Sequence, residues 1–279
     1  MRTAGVALAA LSLALTATSA HALAQGTTGN DVIKGNGNPN RIMSLGGRDV
    51  VAARAGNDTV YAGNGDDEVH GDSGDDWITA QPGNDWVAGD VGNDKIDGGQ
   101  GDDVLYGGEG NDSLSASIGN DTVYGEAGDD TLGGNDGDDR LIGGDGNDKS
   151  IGGDGNDWID AGPGDDGAVQ GGPGDDVLID GDGNDVKVKG DEGNDVVFLG
   201  PGADKVFTEQ GNDTIYVLPD GQQDRIHCDD PTLGDVGDAD RVVFVGHRDP
   251  LDVIDYRGSC ELVTVVSEPP AGWPYGPVA

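Results

Sequence analysis

Along most of the chain a single aliphatic residue recurs every nine positions, in most units with a polar residue on at least one side. Val51, Val60, Val69, Ile78, Val87, Ile96, Leu105, Leu114, Val123, Leu132, Leu141 and Ile159 hold this place. One inward aliphatic per unit suits a strand of only a few residues, because side chains alternate faces along a strand. The segments between them are too rich in Gly for a helix, and Gly supplies the positive-φ conformations of a sharp turn. Strand, turn, strand, turn then closes a coil of two nonapeptides, and alternate units stack on the same side. Two facing ladders follow: Val51, Val69, Val87, Leu105, Val123 and Leu141 on one sheet, and Val60, Ile78, Ile96, Leu114 and Leu132 on the other. The pattern predicts an all-β, parallel, two-sheet solenoid of about eleven coils, roughly 50 Å long at the ~4.8 Å strand spacing. Ser150 and Ala168 interrupt the aliphatic run, and Ile151 offers a one-residue slip.

Two residues before each aliphatic stands an Asp that ends the triplet Gly-(Asn/Asp)-Asp, or Gly-Arg-Asp in the first copy. It falls on Asp49, Asp58, Asp67, Asp76, Asp85, Asp94, Asp103, Asp112, Asp121, Asp130, Asp139, Asp148, Asp157 and Asp166, nine residues apart throughout. The register runs back through a degenerate Asn40 to Asp31. It runs forward through Asp176, Asp185, Asp195, Asp204 and Asp213, with one-residue insertions ahead of Asp176 and Asp195, and Asp224 follows after eleven residues. The unit G-G-x-G-(N/D)-D-x-U-x is best formed from Gly89 to Asp185. Internal repetition at so short a period marks a solenoid.

This nonapeptide resembles the RTX, or haemolysin-type, calcium-binding repeat, and the resemblance covers residues 29–226. It implies a parallel β-roll of 18-residue coils in which the sixth-position aspartates, Asp31 and Asp49 through Asp213, ligate Ca2+ between stacked turns, with turn carbonyls completing the shell. Several repeats depart from the Gly-Gly start: Ala53-Arg54 before Asp58, Ala80-Gln81 before Asp85, Ala116-Ser117 before Asp121 and Thr208-Glu209 before Asp213. Asn40 has no carboxylate.

Charge sharpens this picture. The chain carries 54 acidic against 15 basic residues, a formal net charge of −39, with 53 Gly and 34% hydrophobic residues. Low hydrophobicity with high charge ordinarily marks disorder, but here Asp and Gly dominate, and both favour tight turns. Stacking brings like charges about one strand spacing apart. At ~5 Å each pair repels by roughly 3 kcal/mol at an effective dielectric near 20, more than a thin core can offset over many pairs. A hard divalent cation reverses the sign. Ca2+ accepts six to eight oxygens, whereas Mg2+ resists dehydration and demands stricter geometry. About 15–20 Ca2+ would bring the chain close to neutrality if nearly every stacked pair formed a site. Nucleic acid is excluded as a partner by the same charge.

The ends carry different signals. Met1-Arg2-Thr3, the apolar Ala4–Leu15 stretch and the A-x-A patterns at Ala20–Ala22 and Ala22–Ala24 read as a signal peptide over residues 1–24, cut after Ala22 or Ala24. The apolar stretch is too short to span a bilayer, so the expectation is a secreted, extracellular protein without an integral membrane segment. The roll is assigned to 25–226 and a short β-rich cap to 227–267, where alternation persists in Asp240-Arg-Val-Val-Phe-Val and Glu261-Leu-Val-Thr-Val-Val. Cys228 and Cys260 flank most of that cap, and an even Cys count in an exported chain reads as a disulfide. Residues 268–279, rich in Pro and Gly, read as a flexible tail.

Catalysis has little support. His70, His227 and His247, the histidines beyond the signal segment, lack zinc-ligand spacing, and no nucleophile motif is present. The reading expects no catalytic residues and no cofactor beyond multiple calcium ions in a monomer. Trp77, Trp86, Trp158, Tyr61, Tyr106 and Tyr124 flank inward positions and point outward. They leave an adhesion, matrix or glycan-binding protein as an alternative, with a polysaccharide-modifying enzyme as a further one.

Overall fold

The computed structural model describes residues 12–14, 22–228, 239–254, 260–270 and 273–275. Its strands form two parallel sheets, one of 14 and one of 13 strands, and successive strands alternate between them. No helix occurs among the described residues, and none is long and apolar enough to cross a membrane. About thirteen coils of ~4.8 Å give a rod of roughly 60 Å.

The aliphatic period sets the register. Val87 pairs with Leu105 and Leu105 with Val123 in one sheet; Ile78 pairs with Ile96 and Ile96 with Leu114 in the other. All of these are 0–2% exposed and join one continuous core. Strands such as Val104–Glu109 and Lys95–Gln100 show the expected alternation of inward and outward side chains over their first residues.

Both interruptions of the ladder resolve in specific ways. The slip to Ile151 does not occur: Ser150 takes the inward position, paired with Leu132 and Val169 and 1% exposed, and its Oγ lacks a hydrogen-bond partner. Pairing to Leu132 and Val169 on the two flanks of Ser150, at offsets of 18 and 19 residues, outweighs the cost of one buried hydroxyl. At the next coil Val169 replaces Ala168 inside. The extra residues implied by the ten-residue spacings to Asp176 and Asp195 lie on the strand side of the preceding aspartates. Val169 is three residues after Asp166, and Val188 is three after Asp185. Gly167 and Val186 each donate the backbone N–H that joins the coil to its predecessor.

The sheets extend beyond the roll boundaries read from sequence. Ser12–Ala14 pairs with Val32–Lys34, and Ala22–Gln25 with Asn40–Met43, at the amino-terminal edge. At the other end, Arg225–His227, Asp240–Val245, Val253–Ile254 and Cys260–Val266 continue the same two sheets in parallel register. The cap is therefore further turns of the roll, with Val242, Phe244 and Ile226 fully buried beneath it. A disulfide joins Cys228 to Cys260, with their Cα atoms 5.3 Å apart. Within the segment read as a tail, Trp273 packs edge-on against Phe198 of the roll and against Tyr275 of its own segment.

Candidate metal centre

Each turn begins where the strand's inward aliphatic has passed and the backbone must reverse. Glycine at the fourth position of the unit takes this up with positive φ, as at Gly92 (φ 148) and Gly110 (φ 137). Positive φ also marks the second position, even where the residue is not Gly: Arg54 (φ 78), Gln81 (φ 81), Ser117 (φ 89) and Glu209 (φ 69) all adopt it. The departures from Gly-Gly thus keep the turn, at a conformational cost of about 1–2 kcal/mol each.

This turn swings the sixth-position Asp inward. Asp49 through Asp213 are all at most 3% exposed, and Asp31, in the first complete turn, is 7% exposed. They stand in two columns. In one, Oδ1 of Asp49 accepts the backbone N–H of Asp31 at 2.7 Å, Asp67 accepts from Asp49, and the pattern climbs through Asp85, Asp103, Asp121, Asp139, Asp157, Asp176, Asp195 and Asp213. In the other, Asp58 accepts from Asn40, and Asp76, Asp94, Asp112, Asp130, Asp148, Asp166, Asp185 and Asp204 follow. The sequence-predicted residues are therefore brought together coil by coil, on two sides of the roll.

The second carboxylate oxygen is the telling atom. In every member from Asp49 to Asp204, Oδ2 is buried without a hydrogen-bond partner. Asp31 differs, since Thr27 donates both its N–H and its O–H to Oδ2. Buried polar atoms are normally satisfied, and a carboxylate oxygen left alone is costly. Among the described residues, the ion pairs found involve His70 and Lys189, not the carboxylates of the two columns from Asp49 to Asp204. Burial pushes the carboxyls up, opposed by the N–H bond to Oδ1 and reinforced by neighbouring aspartates. Asp76, Asp103 and Asp176 reach about 8, and Asp85, Asp112, Asp139, Asp148, Asp185 and Asp195 about 7. A carboxylate column of this kind needs either protons or cations.

The donor set fits a hard cation. At Gly98 the position a Cβ would occupy lies 2.5 Å from Asp103 Oδ2 and 2.8 Å from the Ala116 carbonyl oxygen of the next coil. At Gly107 it lies 2.5 Å from Asp112 Oδ2 and 2.7 Å from the Gly125 carbonyl oxygen. Carboxylate and carbonyl oxygens thus converge beside the first glycine, the all-oxygen environment that Ca2+ takes. In the repeats of Asp58, Asp67, Asp85, Asp121 and Asp166 this first position carries the buried methyl of Ala53, Ala62, Ala80, Ala116 or Ala161 instead.

Sequence reading missed several elements of this arrangement. The columns continue past the last regular repeat: Asp224 accepts from Asp204, Asp240 from Asp213, and Asp252 from Asp224. Asp224 already stood in the register read from sequence, but the loosened spacing hid Asp240 and Asp252, although Asp240-Arg-Val-Val preserves the Asp-x-aliphatic signal. The fifth position is also structural. The side-chain oxygen of Asn93 accepts the N–H of Asn111, Asn111 that of Asp129, and Asp129 that of Asn147. This exposed ladder accounts for the prevalence of Asn and Asp there, with Arg48 and Ala203 as exceptions that still donate their N–H to a neighbouring rung.

The outward aromatics largely face one another. Rings of His70, Trp86, Tyr106 and Tyr124 follow in sequence along one sheet, 4.9, 5.4 and 4.7 Å apart. Arg140 lies over Trp158 at 3.6 Å, and Lys95 over Trp77 at 5.2 Å. These contacts occupy ring faces that a sugar would use.

Against known proteins, the family model for the RTX calcium-binding nonapeptide repeat (4 copies) matches residues 23–51, 43–78, 79–114, 106–141, 115–150, 142–167, 169–186 and 187–216. No curated protein matches the chain. With glycine turns, inward aliphatics and paired aspartate columns all in the register of that repeat, the chain belongs to the RTX calcium-binding nonapeptide repeat family.

Proposed function

We propose that this is a secreted, non-enzymatic protein whose repeats bind several calcium ions between stacked turns and fold when they do. The observation that carries the reading is the double column of buried aspartates with partnerless Oδ2 atoms from Asp49 to Asp204. Asp Oδ1 orients each carboxylate by accepting an N–H from the preceding coil, which leaves Oδ2 available. The first glycine, lacking a Cβ, leaves room where that oxygen meets a carbonyl of the next coil. Calcium, when bound, supplies the positive charge that allows the columns to ionise at neutral pH.

In this proposal residues 1–24 direct export and are then removed. Extracellular calcium modules bind in the range of about 10⁻⁴–10⁻³ M, so the chain leaves the calcium-poor cytoplasm unfolded, and metal binding becomes folding free energy outside. Far-UV circular dichroism tests this: calcium should convert a disordered spectrum to a β-rich one, and chelator should reverse it. A β-rich spectrum indifferent to chelator at neutral pH would refute the coupling.

A further inference from the structure

In the first position of the unit, where most repeats carry Gly or Ala, the repeat of Asp185 carries Asp180. Asp180 is 0% exposed. Its carboxylate and those of Asp185 and Asp204, successive members of one column, each offer an oxygen, and these oxygens lie within 4.8 Å of one another. Oδ2 of all three is buried without a hydrogen-bond partner. Among the described residues, no lysine or arginine pairs with any of them. Oδ1 of Asp180 is already fixed: the Gly200 N–H donates to it at 2.7 Å and the Tyr275 hydroxyl at 2.9 Å. Tyr275 also accepts the Gly181 N–H at 3.1 Å, and its ring lies against Gly200, where a Cβ would meet it at 3.0 Å.

We infer that Asp180 turns the Asp185–Asp204 pair into a tricarboxylate divalent-cation site, tighter than the other repeat sites, whose filling fastens the Trp273–Tyr275 segment to the roll. This rests on the calcium reading above and adds a hierarchy to it. Affinity of all-oxygen sites rises with ligand charge, and three carboxylates outnumber the pair available where the first position is Gly. Three buried carboxylates so close cannot all stay ionised without a cation. An ionised Asp180 is also the stronger acceptor for the Tyr275 hydroxyl, since charge-assisted hydrogen bonds are stronger than neutral ones. Filling the site and docking the segment therefore favour each other.

The test is hydrogen–deuterium exchange of the full chain across buffered free-calcium concentrations, read by mass spectrometry. Three regions are followed: the carboxy-terminal segment, the strand Val177–Ile179 beside the site, and the strand Val104–Glu109 remote from it. In the unaltered protein, protection of the segment and of Val177–Ile179 should appear at lower calcium than protection of Val104–Glu109. Asp180→Asn keeps an oxygen acceptor for Tyr275 and removes the charge. Asp180→Gly restores the residue common at this position and guards against misfolding. Both should raise the calcium needed to protect the segment and Val177–Ile179 by about tenfold, because affinity falls as ligand charge is removed, leaving Val104–Glu109 unmoved. Tyr275→Phe should weaken protection of the segment while leaving Asp180 in place as a ligand.

Unchanged midpoints in both Asp180 variants would overturn the proposal. Calcium-independent protection of the segment, with Val104–Glu109 still calcium-dependent, would overturn it alone. If every region proved calcium-independent, the calcium-folding reading would fall with it.

Discussion

Acidifying the calcium-free chain is expected to build β structure. The sign follows from the carboxyl columns. Asp103, Asp139 and Asp176 have folded-state values of about 8, 7 and 8 against an ordinary 3.8. A carboxyl raised on folding favours the fold below its unfolded value, and that advantage is lost as pH rises through the folded value. For one group raised from 3.8 to about 7, the loss by neutral pH is about 4 kcal/mol. These three alternate along one column, so none is a direct neighbour of another, and each value already carries repulsion from the aspartates on either side. Together they cost about 12 kcal/mol, comparable to the whole stability of an ordinary domain at ~5–15 kcal/mol. The ionised, metal-free roll should therefore be unfolded at neutral pH, and the window in which it gains structure runs downward from about pH 8 toward 4. Far-UV circular dichroism of dilute protein in chelator, from about pH 7.5 to 5, measures this directly. Saturating calcium should invert the trend, because protons then compete with the metal for the same oxygens. Equal or smaller β content in chelator at pH 5 than at pH 7.5 would refute the reasoning.

Other expectations concern the frame, each read as a urea midpoint in saturating calcium. Gly110→Ala places a Cβ at φ 137 and into the Gly92 carbonyl oxygen, so it should destabilise strongly. Gly37→Ala, with nothing within 4 Å, should be neutral or slightly stabilising. Leu105→Ala empties a fully buried rung and should cost about 2–5 kcal/mol. Cys260→Ser, measured beside the reduced unaltered protein, should lose about 3–4 kcal/mol from opening the disulfide loop.

The roll was legible because its physics repeats. One aliphatic per nine residues sufficed to place Leu105 between Val87 and Val123, and the pairing bears this out. Ser150 shows where local preference misleads: hydrophobicity favours Ile151 inside, but the register imposed by Leu132 and Val169 decides. Arg54 and Glu209 show the same for the turn, since stacked neighbours hold positive φ at residues that do not favour it. The cap was read as a separate element because the spacing from Asp224 to Asp252 loosens, yet its strands continue both sheets. Asp180 was hidden for another reason. Its partners Gly200 and Tyr275 are distant in sequence, and a tail rich in Pro and Gly gives no sign that its tyrosine meets a buried carboxylate.

If calcium fills the columns, it lies against the partnerless Oδ2 atoms. An anomalous-difference map from crystals grown in calcium, collected at long wavelength, tests it most directly. Peaks are expected about 2.3–2.6 Å from Oδ2 of Asp103 and Asp112, repeated along both columns. Well-ordered aspartate columns with no peaks beside these oxygens would contradict it.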